Sequence, residues 1–223
     1  MPTPLPDLLE TLLLARKADA LPRWLDGALT ATPENLQPLH SAYTSAPRLL
    51  GRAALELTAE DRQALAATAP DLDPAGWTLF DAGRAVLLLR LAARWPADAF
   101  VAAASSCYER GDAREQQSWL KALSLLPYPD RFLTAALDAC RTNITPVFEA
   151  IASENAYPVR HFPALHFNQL VLRSMFLGVA LERIVGRASR LNPTLTQMAQ
   201  DFAAERRAAG RPVPADLPLA LHA

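Results

Sequence analysis

Leu5, Leu8, Leu9, Leu12 and Leu13 recur at i, i+3, i+4, i+7 and i+8, so the chain opens on an amphipathic helix whose polar face carries Glu10 and Lys17. Pro22 starts a second short helix through Trp24, Leu25 and Leu29. From Thr78 onward the helical period returns in segments separated by short breaks: 78–94 with 97–109, 113–126 with 130–141, 146–154 with 163–177, and 180–186 with 193–209. Helix starts are marked chemically. Thr32-Pro33, Thr145-Pro146 and Asn192-Pro193 each set a capping oxygen before a proline suited to the first helical turn. Thr58 with Asp61, Thr78 with Asp81 and Asp112 with Glu115 have capping-box spacing. Loops are expected over 51–57, 70–76 and 156–161, and the proline-rich tail 212–223 is expected to run extended. Successive hairpins at a spacing of roughly 33 residues imply an all-α fold of stacked helical hairpins, an α-α superhelix or HEAT-like array, with an irregular helical bundle as the alternative.

Composition supports the helical reading. Leu and Ala dominate while Ile occurs three times and Val eight, and 51% of residues are hydrophobic, enough for a sizeable core. No second domain or low-complexity segment interrupts the pattern, so 1–223 is expected to be a single domain. The most apolar stretch, 86–93, contains Arg90 and is flanked by Arg84 and Arg94, so no membrane span is expected. Residues 1–7 lack a basic leader pattern, and Cys107 and Cys140 are read as reduced buried thiols, which together point to the cytoplasm. A net charge of −1 gives no general attraction for nucleic acid or anionic lipid. The cations are nevertheless biased: Lys occurs only at 17 and 121, and 131–211 holds ten arginines against six acids. Arginine suits fixed bidentate contacts to carboxylates or phosphates, although here it also serves as the chain's general solubilising cation.

Polar residues with hydrogen-bonding side chains concentrate over 128–168, at expected helix ends where backbone groups also lack partners. The runs Tyr128-Pro129-Asp130-Arg131-Phe132, Cys140-Arg141-Thr142-Asn143, Phe148-Glu149-Ala150-Ile151, Asn155-Ala156-Tyr157-Pro158, His161-Phe162-Pro163 and Asn168-Gln169-Leu170-Val171-Leu172 stand in that order. They are followed by Asn192-Pro193, Glu205-Arg206 and Ala209-Gly210-Arg211. This succession over 128–211 resembles the C-terminal region of the bacterial EboA family; over 1–70 the resemblance is only in length and helical character. Two positions depart from the family pattern: Phe167 stands where tryptophan is expected, and Arg173 where lysine is expected. The first loses an indole N–H, the second changes the geometry of a cation.

The resemblance implies work beside a prenyltransferase-like membrane protein, a TIM-barrel protein, a dehydroquinate-synthase-like enzyme and hydrolases, in making or moving a small metabolite toward the periplasm. It implies no assigned catalytic residues. The expected function is an accessory binding or scaffold protein, its partners a small-molecule metabolite or other proteins of the same gene cluster. Arg141, Asn143, Glu149, Asn155, His161, Asn168 and Arg173 are the candidate ligand-binding residues; Arg141, Asn143, Glu149, Asn155 and Asn168 are expected to converge on one cavity, and the aromatic cluster Phe148, Tyr157, Phe162, Phe167 and Phe176 surrounds the polar set as a candidate apolar wall. Several polar residues also have a structural reading: Asn168 and Gln169 as amides satisfied by backbone, Glu149 as a helix-dipole carboxylate or an ion pair with Arg141, and His161 and His166 as hydrogen-bonded rings. The alternative function is a cofactor-independent enzyme acting on a cyclic or polyol-derived metabolite, with Glu149 as acid/base and Arg141 and Asn143 as orienting groups. No HExxH, Gly-x-Ser-x-Gly elbow or phosphate-cradling glycine loop occurs, so neither metal nor cofactor is expected.

Overall fold

The computed structural model describes residues 3–222. Met1, Pro2 and Ala223 lie outside them, and with them the ends of the leader and tail readings. The described chain forms twelve α-helices and short 3₁₀ turns, with isolated bridges at Thr32–Asn35 and Ala54–Thr78 and no strand among the described residues. Cα packing divides the chain into two compact units, one ending at Ala135 and one beginning at Ala136.

The first unit contains α1 (Leu5–Lys17), α2 (Ala20–Ala28), α3 (Gln37–Leu49), α4 (Ala59–Thr68), α5 (Leu79–Ala92), α6 (Ala97–Glu109) and α7 (Ala113–Ala122). All three capping boxes form: Thr58, Thr78 and Asp112 each accept from the backbone three residues on, and Asp61, Asp81 and Glu115 accept from the cap N–H in return. Helix α5 is the axis of this unit, because α1, α3 and α7 all pack against it and nearly all its residues are buried. It is buried around nearly its whole circumference, Asp81 and Arg84 included, as a central helix must be. Gly83 lets α5 approach closely: a Cβ there would stand 2.2 Å from the Leu50 Cδ1. The stretch 86–93 is therefore part of a core helix, and among the described residues no helix is long and apolar enough to cross a membrane.

Helix α8 (Leu133–Ala139) crosses the boundary between the units. The second unit then contains α9 (Thr145–Ala152), α10 (Tyr157–His161), α11 (Ala164–Leu177) and α12 (Pro193–Ala208), with α9 and α12 both packed on α11.

Several local expectations need correction. Thr32-Pro33 opens a tight turn, in which Thr32 and Asn35 pair through their backbones, and α3 begins only at Gln37. Thr145 does not cap α9; Ile144 holds that position without a side-chain cap. Residues 157–161 are helix α10 rather than loop, with Asn155 Oδ1 accepting from the Tyr157 N–H at its start. The segment 180–186 holds only a three-residue 3₁₀ turn, Leu181–Arg183, between Gly178 and Gly186, whose left-handed backbones break any longer helix. The tail is not wholly extended either, since Leu217–Ala220 closes another 3₁₀ turn and Arg187 donates to the Leu219 carbonyl.

Candidate functional site

Helix α11 builds the site in the second unit. His166, Gln169, Leu170, Arg173 and Phe176 fall three or four residues apart, and that spacing puts them along one stripe. Facing them are Leu137, Cys140 and Arg141 from the end of α8 and the turn after it, and Phe202 from α12. Together with Leu172 these residues enclose a cavity of about 380 Å³. That is within the size range of small-molecule pockets, and its wall is mainly aliphatic and aromatic with a few polar groups.

The polar groups are unevenly satisfied. Arg173 donates through Nη2 to the Thr142 carbonyl at 2.5 Å, and its guanidinium lies 5.6 Å from the Phe148 ring centroid. Its Nε is buried with no hydrogen-bond partner, and the same holds for His166 Nδ1. Leaving a buried donor or acceptor unmatched costs about 1–3 kcal/mol, so both atoms favour an occupant that completes them. Arg141 sits at the rim, paired with Asp138 at 2.9 Å, both side chains being more than half exposed. A pair so exposed contributes little to stability and leaves the guanidinium available. Cys140 is no nucleophile here: burial outweighs the nearby positive charges of Arg173 and Arg141 and pushes its thiol up to about 12.

Of the seven residues singled out in the sequence, Arg141 and Arg173 line this cavity and the other five do not. Asn155 is buried and donates to the Ala150 carbonyl while accepting from Tyr157, which ties α9 to α10. Asn168 exchanges hydrogen bonds of 3.2 and 3.0 Å with Asn192, whose Oδ1 also caps α12 by accepting from the Leu195 N–H. Glu149 faces Arg183 rather than Arg141, at 3.5 Å, and Arg183 is held more closely by both oxygens of Glu154. His161 lies against the Tyr157 ring with centroids 4.6 Å apart, and Asn143 is exposed in the turn before α9. Cys140 and Phe202 were not candidates, and Gln169 was weighed beside Asn168 chiefly as an amide satisfied by backbone. The legible signal was the register of α11: from Arg173 a step of four back reaches Gln169, a step of three on reaches Phe176, and two turns back, seven residues, reaches His166.

Sequence reading also passed over a buried polar network in the first unit. Arg84 is only 1% exposed; it donates through Nε to the Tyr43 carbonyl at 2.9 Å and through Nη1 to Ser118 Oγ at 2.8 Å. Ser118 in turn donates to Asp81, which also accepts from Lys121 at 2.9 Å. The Arg84 guanidinium stacks 4.7 Å from the Tyr43 ring centroid and 5.1 Å from that of Phe80. Glu115 completes the set, with Oε1 3.7 Å from Arg84 Nη2. Burial raises the Tyr43 phenol well above its ordinary value, and burial together with the Glu115 charge pushes the Cys107 thiol up to about 12.

Compared with known proteins, residues 5–221 match the model of a family described as metabolite traffic protein EboA. No curated protein and no solved structure matches the chain.

Proposed function

The chain belongs to the EboA family of metabolite traffic proteins, and from that membership we propose that it is an accessory binding protein that holds a small anionic metabolite with an apolar body in the cavity of its second unit. The observation that carries the reading is the pair of buried, unmatched atoms, Arg173 Nε and His166 Nδ1, on residues lining an otherwise mainly apolar cavity. A carboxylate or phosphate accepts from Arg173 and from the rim cation Arg141, and the body of the ligand packs on Phe176, Phe202 and Leu170. Phe176, 68% exposed, would be covered on binding. Holding a compound between the enzymes that make it and the machinery that moves it requires binding and release, and none of these contacts requires a bond to break. Glu149 stands apart from this cavity in a solvent-accessible pair with Arg183, so the arrangement supports binding over acid–base chemistry.

Denaturing extraction of the purified protein, followed by mass spectrometry, should release an acidic compound with an apolar body. Calorimetry should show binding of a simple analogue, 4-phenylbutyrate. Arg173→Ala should weaken that binding by roughly 10-fold or more, the loss of one charge-assisted contact, and Arg173→Lys should restore part of it. Equal binding by wild type and Arg173→Ala, or no binding and no recovered compound, would refute the proposal.

A further inference from the structure

The first unit contains a separate cavity of about 580 Å³, between α3, the end of α6 and the start of α7. Many of its lining residues carry polar side chains: Gln37, Ser41, Thr44 and Ser45 come from α3, and Arg48 and Arg110 supply two exposed cations. Neither guanidinium has an ion-pair or hydrogen-bond partner among the described residues. Two acceptors stand among these donors.

The first is Glu115, more than nine-tenths buried and part of the cavity lining. Its Oε2 is occupied by the Asp112 N–H at 2.8 Å, whereas Oε1 accepts no hydrogen bond; Arg84, at 3.7 Å, is too far to donate one. The second is His40. Ser106 Oγ donates to the Ala103 carbonyl at 2.7 Å, so the 2.8 Å contact between His40 Nε2 and Ser106 Oγ runs from the imidazole N–H to the hydroxyl. Burial and the nearby Arg110 charge both favour the neutral ring, and the neutral ring with its proton on Nε2 keeps Nδ1 as an acceptor.

A buried carboxylate oxygen and an imidazole lone pair call for hydroxyl donors, while two unpaired guanidiniums call for an anion. We infer that this cavity is a second small-molecule site selective for hydroxy acids, with the ligand's hydroxyls donating to Glu115 Oε1 and His40 and its carboxylate held by Arg48 and Arg110. It shares no residue with the cavity of the second unit, so the two sites stand or fall separately.

Calorimetry on the full chain tests it with three probe acids, glycolate, tartrate and gluconate, against sorbitol, which has hydroxyls without a carboxylate, and hexanoate, which has the reverse. At least one hydroxy acid should bind 10-fold or more tighter than both controls. Arg110→Gln, an exposed change, and Glu115→Gln, which keeps an acceptor for the Asp112 N–H, should each lower that affinity about 10-fold. Arg173→Ala in the second unit should leave it unchanged, which separates this outcome from failure of the metabolite reading. The inference is overturned if no hydroxy acid binds better than sorbitol and hexanoate, or if Arg110→Gln binds as wild type does.

Discussion

Replacing Arg84 by Met removes a buried cation while keeping most of its volume. In the native chain the guanidinium serves the Tyr43 carbonyl and Ser118 Oγ, stacks on Tyr43 and Phe80, and is the only cation within 4 Å of Glu115 among the described residues. In Arg84→Met the carbonyl and hydroxyl lose their donor, and Glu115 is left buried without a counter-charge. Breaking a buried pair from one side costs about 3–5 kcal/mol, even where replacing both partners by apolar groups is nearly neutral. At about 2–4 °C per kcal/mol for a chain of this length, Tm should fall by roughly 10 °C. Urea unfolding followed by far-ultraviolet circular dichroism measures the loss directly. Neutralising the stranded partner in Arg84→Met/Glu115→Gln should recover part of it, with a coupling above about 1 kcal/mol in the double-mutant cycle. An Arg84→Met variant within about 1 kcal/mol of wild type would refute the view that this network holds α3, α5 and α7 together.

Both cysteines should be slow toward thiol reagents at pH 8 in the folded protein, because burial pushes each thiol up to about 12, and both should titrate once the chain is denatured without reductant. Fast native labelling of Cys140 would show its environment to be misread. Asn168→Ala should lower stability by about 1–3 kcal/mol, since it removes both hydrogen bonds between α11 and Asn192 at the start of α12, yet leave binding of 4-phenylbutyrate intact; a variant that binds less at unchanged melting temperature would contradict the structural role.

What could be read ahead of the structure follows from the range of the interaction concerned. Capping boxes involve residues three apart, so Thr58 with Asp61, Thr78 with Asp81 and Asp112 with Glu115 are complete within the local sequence, and all three form. Thr32-Pro33 looked equally local, but Asn35 offers the backbone of Thr32 a competing turn three residues on, and the turn wins. The polar residues over 128–168 were visible as a group because their types depart from a core pattern, yet type does not fix direction. Asn155 and Asn168 turn toward helix ends and are consumed there, while Arg173, on the same helix as Asn168 but five residues on, lines the cavity. Only helix register separates them. The network of Arg84 was hidden for the opposite reason: in sequence Arg84 is one charge beside an apolar run, and its partners Tyr43, Ser118 and Glu115 lie 30 or more positions away on other helices. An arginine on a helix that is otherwise buried all round has nowhere to place its charge except against such partners. Arg84, one of the arginines that flank the apolar stretch and argue against a membrane span, is therefore also a sequence clue to a buried polar site.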